Sequence, residues 1–199
     1  MAKLVNQAEF AAKIKAKRIG LFSKRDIQTL FKVSPVAATF LLHRYTKRGL
    51  ILKVKRGLYV LPDFLPPDTY IANKLYGSSY VSREFALSYH RIIPETVYEV
   101  TSVSTKASRR FEALGKVYTY RRIKKAAFTG YSNMRQSGFS FRIADPEKAF
   151  VDALYYRVIF REKPMSRFDK KKINRGKALR YAALFGNRRL TAILKRTLL

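Results

Sequence analysis

The chain has 199 residues, 47% of them hydrophobic, with 13 Tyr and 14 Phe, which is enough for a packed core and argues against global disorder. Its 42 Lys and Arg outnumber 13 acids for a formal net charge of +29, a self-repulsion usually tolerated when the partner is a polyanion. The lack of cysteine excludes a disulfide scaffold, a cysteine zinc site and a thiol nucleophile, and His43 and His90 stand too far apart to suggest a metal centre. Residues 1–20 carry spaced lysines and no apolar run, so no signal peptide is expected. No run of about 18 apolar residues occurs, so no membrane partner is expected, and the expected compartment is the cytoplasm.

The charge is uneven: residues 1–62 carry a net +12, residues 63–165 +7, and residues 166–199 +10. Between Leu61 and Asp68, three prolines (Pro62, Pro66, Pro67) favour an extended connector. The expected division is therefore a domain at 1–62 and another at 68–199. A weaker boundary at Arg161–Arg175 sets off a basic tail from about 166.

Asn6 to Arg18 has the apolar spacing of a helix. Ser23 with Asp26 reads as a capping pair for a second helix whose stripe is Ile27, Leu30 and Phe31. Lys32-Val33 is the turn, and Ser34-Pro35 starts a third helix that runs to about Arg48, with Gly49 after its end. Leu50–Lys55 and Leu58–Leu61 flank Arg56-Gly57 as a β-hairpin. This order predicts a winged helix-turn-helix. If Ala38, Leu41, Leu42 and Tyr45 are the buried stripe of the third helix, then Val36, Phe40, His43 and Lys47 face outward, flanked by Thr39 and Arg44. That face, started by Ser34, suits a major groove, and Lys53, Lys55 and Arg56 on the hairpin suit phosphate contacts. A small helical bundle with a solvated charged face is the blander alternative.

The run Phe22-Ser23-x-x-Asp26-Ile27-x-x-Leu30-Phe31-x-Val33-Ser34, then Leu41-Leu42, Lys47-Arg48-Gly49-Leu50-Ile51 and Lys55-Arg56-Gly57-Leu58-Tyr59-Val60, resembles the AbiE-type antitoxins of type IV toxin–antitoxin systems. Further on, Tyr80-Val81-Ser82-x-x-x-Ala86-Leu87-x-Tyr89-His90, Ile93-Pro94-x-x-Val97-Tyr98 and Ala144-Asp145-Pro146-Glu147-Lys148-Ala149-x-x-Asp152-Ala153-Leu154 are similar to motifs of that family's second domain. The resemblance spans roughly residues 5–160. It implies a repressor of its own operon that binds inverted repeats in double-stranded DNA. It also implies a second domain that opposes a nucleotidyltransferase-like toxin without needing a stable complex. Phe40 departs from the pattern, which would place a polar or basic residue there.

The rest of the chain predicts a small mixed α+β domain with C-terminal helices, and thus an α+β protein overall. Asp68–Tyr76 reads as a helix with Ile71, Ala72 and Leu75 inward, and Ser82 as the cap of a helix through Tyr89. Thr96–Ser104, Lys116–Ile123 and Phe139–Ile143 read as strands, and Asp145-Pro146 starts a helix to about Val158. Two amphipathic helices follow, broken at Gly186-Asn187 and expected to pack on this domain. Arg109, Arg110, Arg121, Arg122, Lys124 and Lys125 form a possible second basic surface, with Tyr118 and Tyr120 beside it as aromatic contacts.

Enzyme readings find little support. Gly77-Ser78-Ser79 lacks the paired carboxylates that a nucleotidyltransferase needs to hold magnesium. Asp145 and Glu147 read as cap and first-turn acids, while Asp152 is left to face the domain's own basic surface. Ser82 and His90, eight residues apart on a helix, would be separated by about 12 Å. The expectation is no enzyme, no cofactor and no metal. The leading expectation is a DNA-binding antitoxin and autorepressor; the alternative is a basic RNA- or ribosome-associated module without operator specificity.

Overall fold

The computed structural model describes residues 6–199. They divide into two compact units, one of residues through Pro67 together with Arg135–Phe139, the other of Asp68–Met134 and Ser140–Leu199. Among the described residues, no helix is long and apolar enough to cross a membrane.

The first unit holds α1 (Gln7–Ala16), α2 (Lys24–Phe31), α3 (Pro35–Lys47) and a hairpin of β1 (Leu52–Lys55) and β2 (Leu58–Val60). Each helix start has a side-chain cap. Asn6 accepts from the Ala8 N–H at 3.0 Å, and Ser34 from the Ala37 N–H at 3.2 Å. Ser23 and Asp26 satisfy each other's backbone N–H groups, a complete capping box. The hairpin turns on Arg56-Gly57, where Gly57 takes φ +77°, a value that costs a side-chain-bearing residue energy. Phe22 and Tyr59 exchange two backbone hydrogen bonds of 2.9 Å, tying the segment before α2 to β2. Phe10 is central to the core, edge-on to Phe22 and Tyr45 and stacked on Phe31.

The second unit is built on a six-stranded sheet of order β5-β6-β4-β3-β8-β7. Its strands are β3 (Ser79–Val81), β4 (Val100–Ser104), β5 (Arg109–Ala113), β6 (Lys116–Arg122), β7 (Tyr131–Gln136) and β8 (Phe139–Ala144). β3 runs antiparallel to β4 and parallel to β8, β4 parallel to β6, and β5 antiparallel to β6. Leu114 and Gly115 both have positive φ, 52° and 73°, the type I′ geometry that closes a two-residue hairpin between β5 and β6. The strand expected over Thr96–Ser104 begins only at Val100, and all five β4 residues are buried. Alternation fails there because helices cover both faces of the sheet. Tyr120 on one face donates to the carbonyl of Ala72 in α4 (Asp68–Leu75). Thr101, whose side chain points to the opposite face, accepts from the Phe85 N–H of α5 (Arg83–Tyr89).

α6 (Pro146–Ile159) packs against α5 on one side and against α7 (Arg175–Ala183) and α8 (Arg188–Thr197) on others, so it is buried nearly all round. Three of its buried residues are charged: Glu147, Lys148 and Asp152. Lys148 and Asp152, both fully buried, form an i, i+4 ion pair. Asp152 also accepts from the hydroxyls of Ser82 at 2.7 Å and Tyr80 at 3.1 Å. This corrects two expectations. Asp152 faces the core, because a lysine one turn earlier supplies its counter-charge. Ser82 occupies the N-cap position of α5 but makes no capping bond, because its hydroxyl is committed to Asp152.

The N-terminus of α6 holds α7. Asp145 caps α6 through the Lys148 N–H at 2.8 Å and accepts from the Tyr181 hydroxyl at 2.7 Å. Lys177 of α7 pairs with Asp145 at 3.0 Å and Glu147 at 2.9 Å, and Glu147 accepts from the Asn174 N–H. Burial disfavours the Glu147 carboxylate, but the bonds from Lys177 and Asn174 outweigh it and hold the carboxyl below its ordinary value of 4.5. A depressed folded pKa contributes stability that is present above the unfolded value and lost as pH falls through the folded one. Below pH 4.5, therefore, amide exchange in α7 is expected to accelerate relative to β4 and β6. Glu147→Gln should flatten that acid dependence, as hydrogen exchange between pH 3 and 6 would record.

Candidate nucleic-acid interface

α3 exists because Ser34 and Pro35 start it and Gly49, at φ +69°, lets the chain leave it. Before it, Lys32 takes the left-handed conformation at φ 51°, which makes the turn from α2 tight. Ala38, Leu41, Leu42 and Tyr45 are buried, and they join the core around Phe10, Ile14 and Ile27. Val36, Thr39, Phe40, His43 and Lys47 are exposed. Phe40 is 71% exposed and Val36 64%, so the outward face of α3 carries two apolar groups one turn apart beside its polar ones.

The other candidate residues of this unit are placed as follows. Ser34 is spent on capping α3. The Thr39 hydroxyl donates back to the Pro35 carbonyl at 2.9 Å, leaving its lone pairs and methyl group outward. Arg44 is half-buried, its guanidinium 5.5 Å from the Tyr45 ring centre. On the hairpin, Lys53 and Arg56 are exposed and Lys55 is half-buried. No acid occurs in the sequence between Asp26 and Asp63, so every charged side chain of α3 and the hairpin is a cation.

The six residues of the possible second surface are not brought together. Successive strand residues point to opposite faces, so Arg121 and Arg122 diverge, as do Arg109 and Arg110. Pairing of Arg110 with Thr119 and of Arg109 with Tyr120 puts Arg110 on the Arg121 face and Arg109 on the Arg122 face. Arg110 pairs with Glu112, and Arg121 lies over the Phe160 ring at 5.1 Å. Lys124 donates to the Phe185 carbonyl at the end of α7 at 2.7 Å, and Lys125 is exposed. Tyr118 and Tyr120 are buried and cannot stack on a base. The Tyr118 hydroxyl donates to Asp68, and both phenols are pushed up by burial.

The residues weighed for catalysis are occupied with structure. The Ser79 hydroxyl donates to the Tyr76 carbonyl at 2.6 Å, and a His90 ring nitrogen lies 2.8 Å from the Ala144 carbonyl. Among the described residues, no group of three or more His, Asp or Glu is placed to hold a metal ion.

Residues 9–62 match the family model of the AbiEi antitoxins, described as transcriptional regulators. The matched stretch runs from within α1 to just past β2, and so takes in α2, α3 and the hairpin. No curated protein matches the chain. The AbiEi match ends at residue 62, while the resemblance read in the sequence continues to about residue 160.

Phe40 departs from the residue type that the resemblance leads one to expect there, and its exposure yields a test. Phe40→Ala is expected to change stability by less than about 1 kcal/mol, as surface substitutions do. A buried phenylalanine would cost about 3–5 kcal/mol. If α3 reads a DNA duplex, the same substitution should alter sequence preference at thymines, whose methyl groups are the base feature an apolar side chain can touch. Thermal melting, together with binding to operators carrying uracil for thymine, checks both halves.

Proposed function

We propose that this chain is a DNA-binding antitoxin that represses the operon encoding it and counteracts a cognate nucleotidyltransferase-like toxin. The observation that carries the reading is the coincidence of the AbiEi match with an acid-free helix and hairpin whose outward face holds Thr39, Phe40, His43 and Lys47. The first unit acts as a winged helix-turn-helix: α3 enters the major groove, and Lys53, Lys55 and Arg56 on the wing contact phosphate. Inverted repeats in the operator would present two half-sites to two copies of the chain. The second unit supplies antitoxicity, without catalysis of its own and without a stable toxin complex. Its place of action is the cytoplasm, where the operon is transcribed.

The test has two arms with the intact chain. Footprinting on DNA upstream of its gene is expected to protect inverted repeats, and co-expression is expected to rescue growth from a neighbouring nucleotidyltransferase-like toxin. Protection without rescue would reduce the reading to a repressor. Equal affinity for random duplex, operator and single-stranded RNA would instead favour a basic RNA-associated module.

A further inference from the structure

The last helical pair of the second unit carries charge that its fold does not use. No acid occurs in the sequence from Arg175 to Leu199. Lys177 is engaged with Asp145 and Glu147, but Arg175, Arg180, Arg188, Arg189, Lys195 and Arg196 have no acidic partner among the described residues. Four of these share one side of α8. Arg188, Arg189, Lys195 and Arg196 are exposed there with Ala192 between them, the i, i+1, i+4, i+7, i+8 spacing of a single face. Leu190 and Leu194 on the other side are fully buried. Arg188 and Arg189 also sit in the first turn, where a cation opposes the helix dipole, so their placement works against folding rather than for it.

We propose that this face of α8 is a second grip on nucleic acid, one that holds the phosphate backbone of duplex DNA without reading sequence. The inference rests on the reading that the chain is a DNA-binding protein, and deepens it. Three observations select this occupant. A basic amphipathic helix that lies in a membrane surface inserts its apolar side, but Leu190 and Leu194 are already committed to the core. Single-strand binding relies on aromatic stacking platforms, whereas Phe185 is buried and Tyr181 is half-buried with its hydroxyl bonded to Asp145. The two ends of the stripe, Arg188 to Arg196, stand about 12 Å apart along the helix. That is close to the major-groove width of about 12 Å, so the two ends can reach the backbones on either side. An open groove of about 500 Å³ runs beside the stripe, lined by Arg188 and Lys195 together with the small residues Ala183, Gly186 and Ala192.

The experiment measures binding of the full chain to a random-sequence DNA duplex between about 50 and 200 mM salt, where each phosphate contact accounts for roughly a 3.5-fold change in affinity. The variant Arg188→Gln/Arg189→Gln/Lys195→Gln/Arg196→Gln is compared with wild type, with Arg44→Gln/Lys47→Gln on α3, and with the charge-retaining Arg188→Lys/Arg189→Lys. The expected result is a salt slope about 3.6 units shallower for the α8 neutral variant, since each of its four contacts contributes about 0.9, and an unchanged slope for the lysine variant. An unchanged slope in the α8 neutral variant, with the wild-type melting temperature, overturns the inference. If the α3 variant weakens duplex binding in that case, the DNA-binding reading stands and only the α8 face falls; if neither variant has an effect, both fall. A loss confined to a single-stranded RNA probe, with duplex binding intact, also overturns it.

Discussion

Asp152→Ala is expected to destabilise the chain by about 3–5 kcal/mol, the range for removing one partner of a buried ion pair. The Lys148 ammonium would be left fully buried without its counter-ion, and the hydroxyls of Tyr80 and Ser82 would lose their acceptor. Burial already pushes the Asp152 carboxyl up, against the pull of Lys148, Ser82 and Tyr80, so desolvation outweighs the attraction even with every partner in place. That balance leads to a second result. Lys148→Met/Asp152→Leu, which removes both charges together, is expected to recover much of the loss, because apolar pairs of similar volume often match buried ion pairs. Urea midpoints at constant m-value would read both. An unchanged midpoint for Asp152→Ala would mean that the Lys148 ammonium finds water, and that the pair contributes nothing to joining β3 with α6.

The same pair shows why one part of this fold was legible in the sequence and another was not. On α3, one face is core and the other solvent, so helical periodicity alone separated Ala38, Leu41, Leu42 and Tyr45 from Val36, Phe40 and His43. α6 is covered on several sides, and a Lys and an Asp one turn apart have the same spacing as a surface salt bridge. Nothing local marks them as buried. β3 escaped notice because it is three residues long and wholly buried, too short for alternation to register. β5 and β7 are edge strands with mostly exposed residues, so Arg109-Arg110 read as part of a basic surface rather than as part of a ladder. Tyr118 and Tyr120 alternate with Val117, Thr119 and Arg121, and the pattern gave the strand but not which side was covered. Ser82 has the residue type and position of a cap; only the distant Asp152 diverts it.

Neutralising Arg44, Lys47, Lys53 and Arg56 together to Gln is expected to make operator binding less salt-dependent by about 2.7–3.6 in the slope, or roughly 0.9 for each phosphate left unneutralised. The lower bound allows for Arg44, whose guanidinium lies over Tyr45 and whose Nε is buried without a hydrogen-bond partner. Extending that side chain to a phosphate would give up its packing on the ring, so its net contribution is smaller than that of the exposed Lys47, Lys53 and Arg56. Because phosphate contacts carry no sequence information directly, the variant should lose affinity for operator and random duplex alike, and keep the ratio between them. Phe40→Ala should do the reverse, changing the ratio with the slope unaltered. Measured side by side over the same salt range, the two variants separate how tightly α3 is held from what it reads. A quadruple variant that lost the ratio but kept the slope would place these four cations on base edges instead. The phosphate-binding role would then pass to other residues of the unit.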